Sequence, residues 1–172
     1  MEQVANPARR RLFKGRVNSL ASTPKLRLPW VISEQVFVEQ CTQCNACVDN
    51  CETKIIKKDD FGFPYVDFSQ DECTFCNQCQ SHCEQPLFID KTEQSNTLPW
   101  HASISISDKC LAENNIYCQS CRDVCDSRAI KFSYSNGPIP TPDITLSDCS
   151  QCGACVSTCP QNAIAIQIKE VI

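Results

Sequence analysis

The sequence predicts an α+β protein assembled from two tandem modules of short helices and β-hairpins, preceded by a basic N-terminal arm. Three observations carry this expectation. The 172 residues include 16 cysteines that fall into four sets of four, short period-2 apolar runs stand between the sets, and cationic side chains crowd the N-terminal end. A content of 42% apolar and 21% charged residues is that of a globular protein rather than a disordered or fibrous one.

The arm is taken as residues 1–33. Its first 28 residues hold seven Lys and Arg against the single acid Glu2, which leaves nine basic and 19 acidic side chains for the rest of the chain. An acidic body repels phosphate, and no aromatic-rich basic sheet or zinc-finger spacing accompanies the arm, so a nucleic-acid partner is not expected. The arm either folds back on its own body or meets a partner protein.

The first module is placed at residues 34–90. Cys41, Cys44, Cys47 and Cys51 read C-x2-C-x2-C-x3-C, and Cys73, Cys76, Cys79 and Cys83 repeat the run. Between them, Lys54–Lys57, the turn Asp59-Asp60-Phe61-Gly62 and the strand-like Pro64–Phe68 form a hairpin signal. Lys57-Lys58 and Asp59-Asp60 read as a solvated turn. A short helix is expected from the fourth cysteine of each set or just before it. A polar linker follows, residues 91–101, with Trp100 after a proline as Trp30 is; both indoles read as packing anchors.

The second module is placed at residues 102–172. Its outer strands are expected at Ser103–Ile106 and Ala163–Ile168, which alternate in the manner of half-buried strands, and its inner pair at Ala129–Tyr134 and Asp143–Leu146 around the turn signal Asn136-Gly137-Pro138. Cys149, Cys152, Cys155 and Cys159 repeat the run and end on Pro160. Cys110, Cys118, Cys121 and Cys125 keep the last two gaps but open the first to seven residues, so Leu111–Tyr117 must loop out.

Disulfides, zinc and iron–sulfur clusters are the three uses for so many cysteines. Disulfides require an oxidising compartment, and no signal peptide is readable. Arg10-Arg11-Leu12-Phe13-Lys14 resembles a twin-arginine export motif, but residues 15–28 are polar and basic where that signal needs an apolar segment. No integral membrane segment is expected either, since the uncharged Thr97–Ser107 spans 11 residues against the ~20 a bilayer requires. The expected compartment is the cytoplasm. Zinc sites take two C-x2-C knuckles a dozen or more residues apart, a spacing absent here. The run C-x2-C-x2-C-x3-C, closed by proline in the last set, is instead the signature of 4Fe–4S binding.

By these motifs the chain resembles bacterial-type two-cluster ferredoxins, present twice. That resemblance implies tandem 2×[4Fe–4S] ferredoxin-like modules and four [4Fe–4S] clusters held by the sixteen cysteines. It also implies crossed ligation: Cys41, Cys44 and Cys47 with Cys83; Cys73, Cys76 and Cys79 with Cys51; Cys149, Cys152 and Cys155 with Cys125; and Cys110, Cys118 and Cys121 with Cys159. Cys110 is the ligand set apart by its gap. Four clusters at about −2 each would take the formal charge of −4 to roughly −12.

No substrate site accompanies the cysteines. His82 stands inside a cysteine run and His101 in the linker, and Gly15, Gly62, Gly137 and Gly153 are too scattered for a phosphate loop. A catalyst is therefore not expected. The arginine-rich arm with Arg10-Arg11 and Gly15, Pro29-Trp30, the seven-residue gap and Cys110-Leu111-Ala112 before Tyr117-Cys118 further resemble the NapF family, ferredoxin-type proteins of the bacterial periplasmic nitrate reductase system. This resemblance implies a cytoplasmic accessory protein that binds the catalytic subunit, NapA, before export and assists its maturation. The other function the residues allow is a general electron carrier, and a structural zinc protein is the third reading.

Overall fold

The computed structural model describes residues 25–134 and 137–168. Residues 1–24, the larger part of the basic arm, lie outside the described residues, as do Asn136 of the expected turn and the last four residues. The described elements run α1 (Glu34–Gln40), α2 (Ala46–Asp49), β1 (Ile56–Lys58), β2 (Pro64–Val66), α3 (Gln78–Ser81), α4 (Lys91–Gln94), β3 (Ala102–Ile106), α5 (Ser120–Asp123), β4 (Ile130–Ser133), β5 (Thr141–Ile144), a 3₁₀ turn at Leu146–Asp148, α6 (Ala154–Ser157) and β6 (Ile164–Ile168).

Three antiparallel ribbons organise them, β1 with β2, β4 with β5 and β3 with β6. The last pairs Ile104 with Ile166 and Ser105 with Ala165, so the two alternating runs expected as outer strands do meet. The same plan holds in the first half, with its outer pair reduced to one antiparallel bridge between Val31 and Phe88. Hydrogen bonds from Ile32 N–H to the Leu87 carbonyl (2.9 Å) and Ile89 N–H to the Trp30 carbonyl (3.0 Å) flank that bridge.

Strand limits differ from the sequence expectation for local reasons. Lys54 takes a positive φ of 56° and donates its N–H to the Cys51 carbonyl at 3.2 Å, which delays β1 to Ile56. In the other inner ribbon β5 begins earlier, at Thr141, and includes Pro142. Thr145 N–H bonds the Ala129 carbonyl at 2.8 Å, so by the antiparallel alternation Pro142, opposite Phe132, stands where its nitrogen faces away from β4 and no ladder bond is lost.

The four short helices of the cysteine runs stand just before the fourth cysteine. Each is four residues long and carries the third cysteine, namely Cys47, Cys79, Cys121 and Cys155. Helices this short do not hold themselves. Their order comes from packing, and one core cluster joins Leu28, Phe37, Ile55, Val66, Phe68, Leu87 and Trp100 to the buried Cys51 and Cys79, while a second joins Ile130 and Ile164 to Cys121 and Cys155.

The end of the arm belongs to this core. Leu26 and Leu28 are buried, and Arg27 between them donates to both carboxylate oxygens of Glu34 and, at 3.0 Å, to Asp59. Its guanidinium lies 5.1 Å from the centre of the Phe37 ring. Trp100 is buried, donates to the Arg27 carbonyl at 2.8 Å and meets Phe68 edge-on at 5.6 Å. Trp30 bonds the Thr97 carbonyl at 3.0 Å.

The solvated reading holds at Lys58 and Asp60, which are exposed, and is corrected at Asp59. The Asp59 side chain is 8% exposed and accepts the N–H groups of Phe61 and Phe63, each at 2.9 Å. Gly62, at φ 84°, lets the chain close this turn. Replacing Asp59 by Ala removes one of the two carboxylates that hold a largely buried guanidinium and leaves two amides without their acceptor. The expected cost is about 2–4 kcal/mol, read as a shift in the denaturation midpoint of the loaded protein. A loss below about 1 kcal/mol would show the ion pair to be dispensable.

Candidate metal centres

The cysteine loops owe their shape to residues that accept left-handed backbone. In each plain set the residue before the second cysteine and the residue after it have positive φ: Gln43 and Asn45, Phe75 and Asn77, Gln151 and Gly153. Asn and Gly pay least for that region, and three of the six are Asn45, Asn77 and Gly153, each also the residue that starts the following helix. A left-handed residue on each side of the second cysteine curls the loop, and the three thiols line one cavity.

The seven-residue gap closes differently. Asn114 donates its side-chain amide to the carbonyls of Asp108 (2.7 Å) and Cys110 (2.8 Å), Ile116 N–H reaches back to the Leu111 carbonyl at 2.9 Å, and Ala112 is buried. Leu111–Tyr117 is thus a folded clasp. It loops out as expected, with residues 113–117 exposed, while Leu111 is half-buried and Ala112 buried.

Four cavities result, each lined by four cysteines drawn from two sets. Cys41, Cys44 and Cys47 share the first with Cys83, and Cys73, Cys76 and Cys79 share the next with Cys51. Cys149, Cys152 and Cys155 share a third with Cys125. Cys110, Cys118 and Cys121 share the fourth with Cys159, so the clasp does bring Cys110 to its expected companions. These foursomes surround space rather than a point, and among the described residues no group of three or more His, Cys, Asp or Glu is gathered closely enough for a single metal ion. All sixteen thiols are unbridged.

The electrostatics show what such a cavity asks of its contents. Burial pushes the Cys47 thiol up to about 12, and the facing Cys41, Cys44 and Cys83 add to the rise. Burial likewise takes Cys73, Cys79 and Cys155 to about 12 and Cys121 to about 11, with Cys110 as the next cause. Thiols in this state hold their protons at neutral pH, and only a positive core among them makes four thiolates affordable. Cys125 goes the other way. Burial alone would raise it, but the Ser127 hydroxyl and the N–H groups of Ile130, Ala129 and Arg128 bring it below its ordinary value. Backbone N–H groups also reach sulfur from Gln151 to Cys149 at 3.4 Å and from Ala163 to Cys159 at 3.2 Å. Sulfur donors in fours, walled by apolar side chains and supplied with N–H groups, suit an iron–sulfur cluster.

Of the two histidines, His82 lies on the rim of the Cys41, Cys44, Cys47 and Cys83 cavity. His82 is exposed with its ring nitrogen 3.0 Å from the Gln78 carbonyl, and His101 is exposed. The sequence reading missed Arg27 and Asp59, whose signal was the alternation of Leu26 and Leu28 around a single cation.

Comparison with known proteins agrees with this geometry. A family model described as a 4Fe–4S dicluster domain matches residues 40–85 and 116–163. The second match begins at residue 116, after Cys110 and within the seven-residue gap. The chain is similar to a ferredoxin-type protein NapF from Haemophilus influenzae, 41% identical with 95% of each chain covered. It is likewise similar to the ferredoxin-type protein NapF of Escherichia coli K12, 34% identical with 93% of this chain and 94% of that one covered. No solved structure matches.

Proposed function

The chain belongs to the ferredoxin-type NapF family and carries two 4Fe–4S dicluster domains, and from that premise we propose that it is a four-cluster accessory protein of periplasmic nitrate reductase. In this reading the sixteen cysteines ligate four [4Fe–4S] clusters in the four crossed groups. The protein works in the cytoplasm, binds the catalytic subunit NapA before its export, and assists that subunit's maturation without turning over a substrate of its own. The observation that carries the cofactor assignment is the sorting of sixteen thiols into four cavities of four.

The partner reading is supported by charge. Residues 1–24 hold Arg9, Arg10, Arg11, Lys14 and Arg16 against Glu2, a cationic segment that a generic carrier does not require. Capture of the NapA precursor and of mature NapA by the full chain, and by a chain starting at Lys25, tests it. The full chain is expected to retain the precursor and the shortened one to lose it. Equal capture by both would remove the arm from the interface, and no preference for the precursor would refute the maturation role. The cut is placed at Lys25 because Leu26, Arg27 and Leu28 are core residues.

A second reading, a general electron carrier, is favoured by the exposure of Cys44 and Cys76, which brings two cavities to the surface within reach of a redox partner. The seven-residue clasp supplies a further test of the cofactor assignment. Cys110→Ser is expected to lower iron from about 16 to about 12 atoms per chain, with the other three foursomes retained. Unchanged iron and spectra would remove Cys110 from the ligands, and stoichiometric zinc with little iron in the parent protein would overturn the whole assignment.

A further inference from the structure

The two modules do not merely follow one another in sequence; they touch through two of the proposed ligands. Cys73 N–H donates to the Cys152 carbonyl at 2.8 Å. Around this contact the packing is tight. Gly153, at φ 90°, lies against the Phe68 ring so closely that a Cβ there would fall 2.2 Å from a ring carbon. Gln151 bonds the Ala102 carbonyl at 2.9 Å, and Val156, Ile166 and Ile168 of the second module pack on the first module's core.

Within each module the cavities are adjacent too. Helix α2, which carries Cys47, meets α3, which carries Cys79, and α5 with Cys121 meets α6 with Cys155. The cavities therefore stand in one order: Cys41 group, Cys73 group, Cys149 group, Cys110 group. We infer that the Cys73–Cys152 contact, clamped by Phe68 against Gly153, is a built electron relay that joins the two modules into a single four-site row. This rests on the reading that the four foursomes hold [4Fe–4S] clusters. With clusters bound, Cys73, Cys76, Cys79 and Cys51 would hold the donor and Cys149, Cys152, Cys155 and Cys125 the acceptor of a bare one-electron exchange, +1 to +2 on one side and +2 to +1 on the other, with no bond made and no proton moved. The first electron comes from a one-electron donor, and dithionite serves in the test. The bonded path runs from the Cys73 sulfur through its Cα and N–H to the Cys152 carbonyl and sulfur.

The experiment uses the full chain, loaded anaerobically, with iron and sulfide counted before dithionite reduction. The readout is magnetic coupling among the reduced clusters by electron paramagnetic resonance. Iron near 16 per chain with coupling that spans both modules is expected. Iron well below that count overturns the cluster reading, whereas full iron with spectra of two independent pairs overturns the relay alone. Gly153→Asn locates the contact, because Asn45 and Asn77 already occupy the same loop position at φ 69° and 58°, so the loop accepts Asn and only the Phe68 face is disturbed. The variant is expected to lose inter-module coupling while each module keeps its own, and adding Phe68→Ala to make room is expected to restore it. Coupling that survives Gly153→Asn at full iron, or stays lost in the double variant, refutes the assignment to this contact. If Gly153→Asn fails to load iron, Phe68→Leu, which loosens the clamp without inserting an atom, is read by the same criterion.

Discussion

Removal of iron from the loaded protein under reducing conditions is expected to dissolve both modules. The described core is small, and Cys51, Cys79, Cys121 and Cys155 are themselves members of its two clusters. Three ribbons of three to five residues per strand and helices of four residues in the cysteine runs are marginal without something to pack on. A structural metal centre supplies on the order of 10 kcal/mol or more of folding free energy, which exceeds the whole stability of many small domains. Loss of dispersed amide resonances and rapid proteolysis of the iron-free chain are the expected signs. An iron-free chain with native-like dispersion would show that the apolar clusters suffice.

The pH dependence of the two forms has opposite signs. In the loaded protein protons compete with iron for sulfur, so acidification releases the clusters and stability falls as pH falls. In an iron-free chain Cys47, Cys73, Cys79 and Cys155 are raised from 9.0 to about 12. Groups raised by folding favour structure below the unfolded value, so whatever order the iron-free chain retains is present below pH 9 and is lost as pH climbs through about 12. Cluster absorbance against pH measures the first, and circular dichroism of the iron-free chain the second.

Phe37→Ala carries the second large effect. Phe37 is 1% exposed, lies 6.3 Å from Phe63 between ring centres, sits beneath Arg27 and lines the cavity of Cys41, Cys44, Cys47 and Cys83. It is held there by α1, whose first turn is capped by the Ser33 hydroxyl accepting from Val36 N–H at 3.2 Å. Truncation removes the wall between the core and one foursome, at an expected cost of about 3–5 kcal/mol. Because Phe37 does not line the other three cavities, iron is expected to fall towards about 12 per chain with the second module's spectrum unchanged. Uniform loss from all four groups would show that the modules do not fold as separable units.

Much of the candidate site was legible because the spacing of cysteines is a local property. Two residues between thiols leave few ways to turn the chain, and Asn45, Asn77 and Gly153 announce the left-handed positions that the turn uses. The alternating runs at Ser103–Ile106 and Ala163–Ile168 were legible for the same reason, since one period-2 face must be covered. Arg27 was misread. Counted with the arm's cations by charge alone, it is held between two carboxylates and two aromatic rings, partners that lie seven to 36 residues away along the chain.

The sequence by itself determined the number and rhythm of the thiols, the hairpins between them and the family to which the chain belongs, all of which follow from steric rules acting within a few residues. Only the tertiary structure decided that Cys110, at the base of its looped-out clasp, shares a cavity with Cys159, that the Asp59 side chain is shielded from solvent, and that Cys73 bonds Cys152 beside the Phe68 ring. Those are contacts between segments distant in the chain. Their energy comes from burial and fit, which exist only once the segments have been brought together.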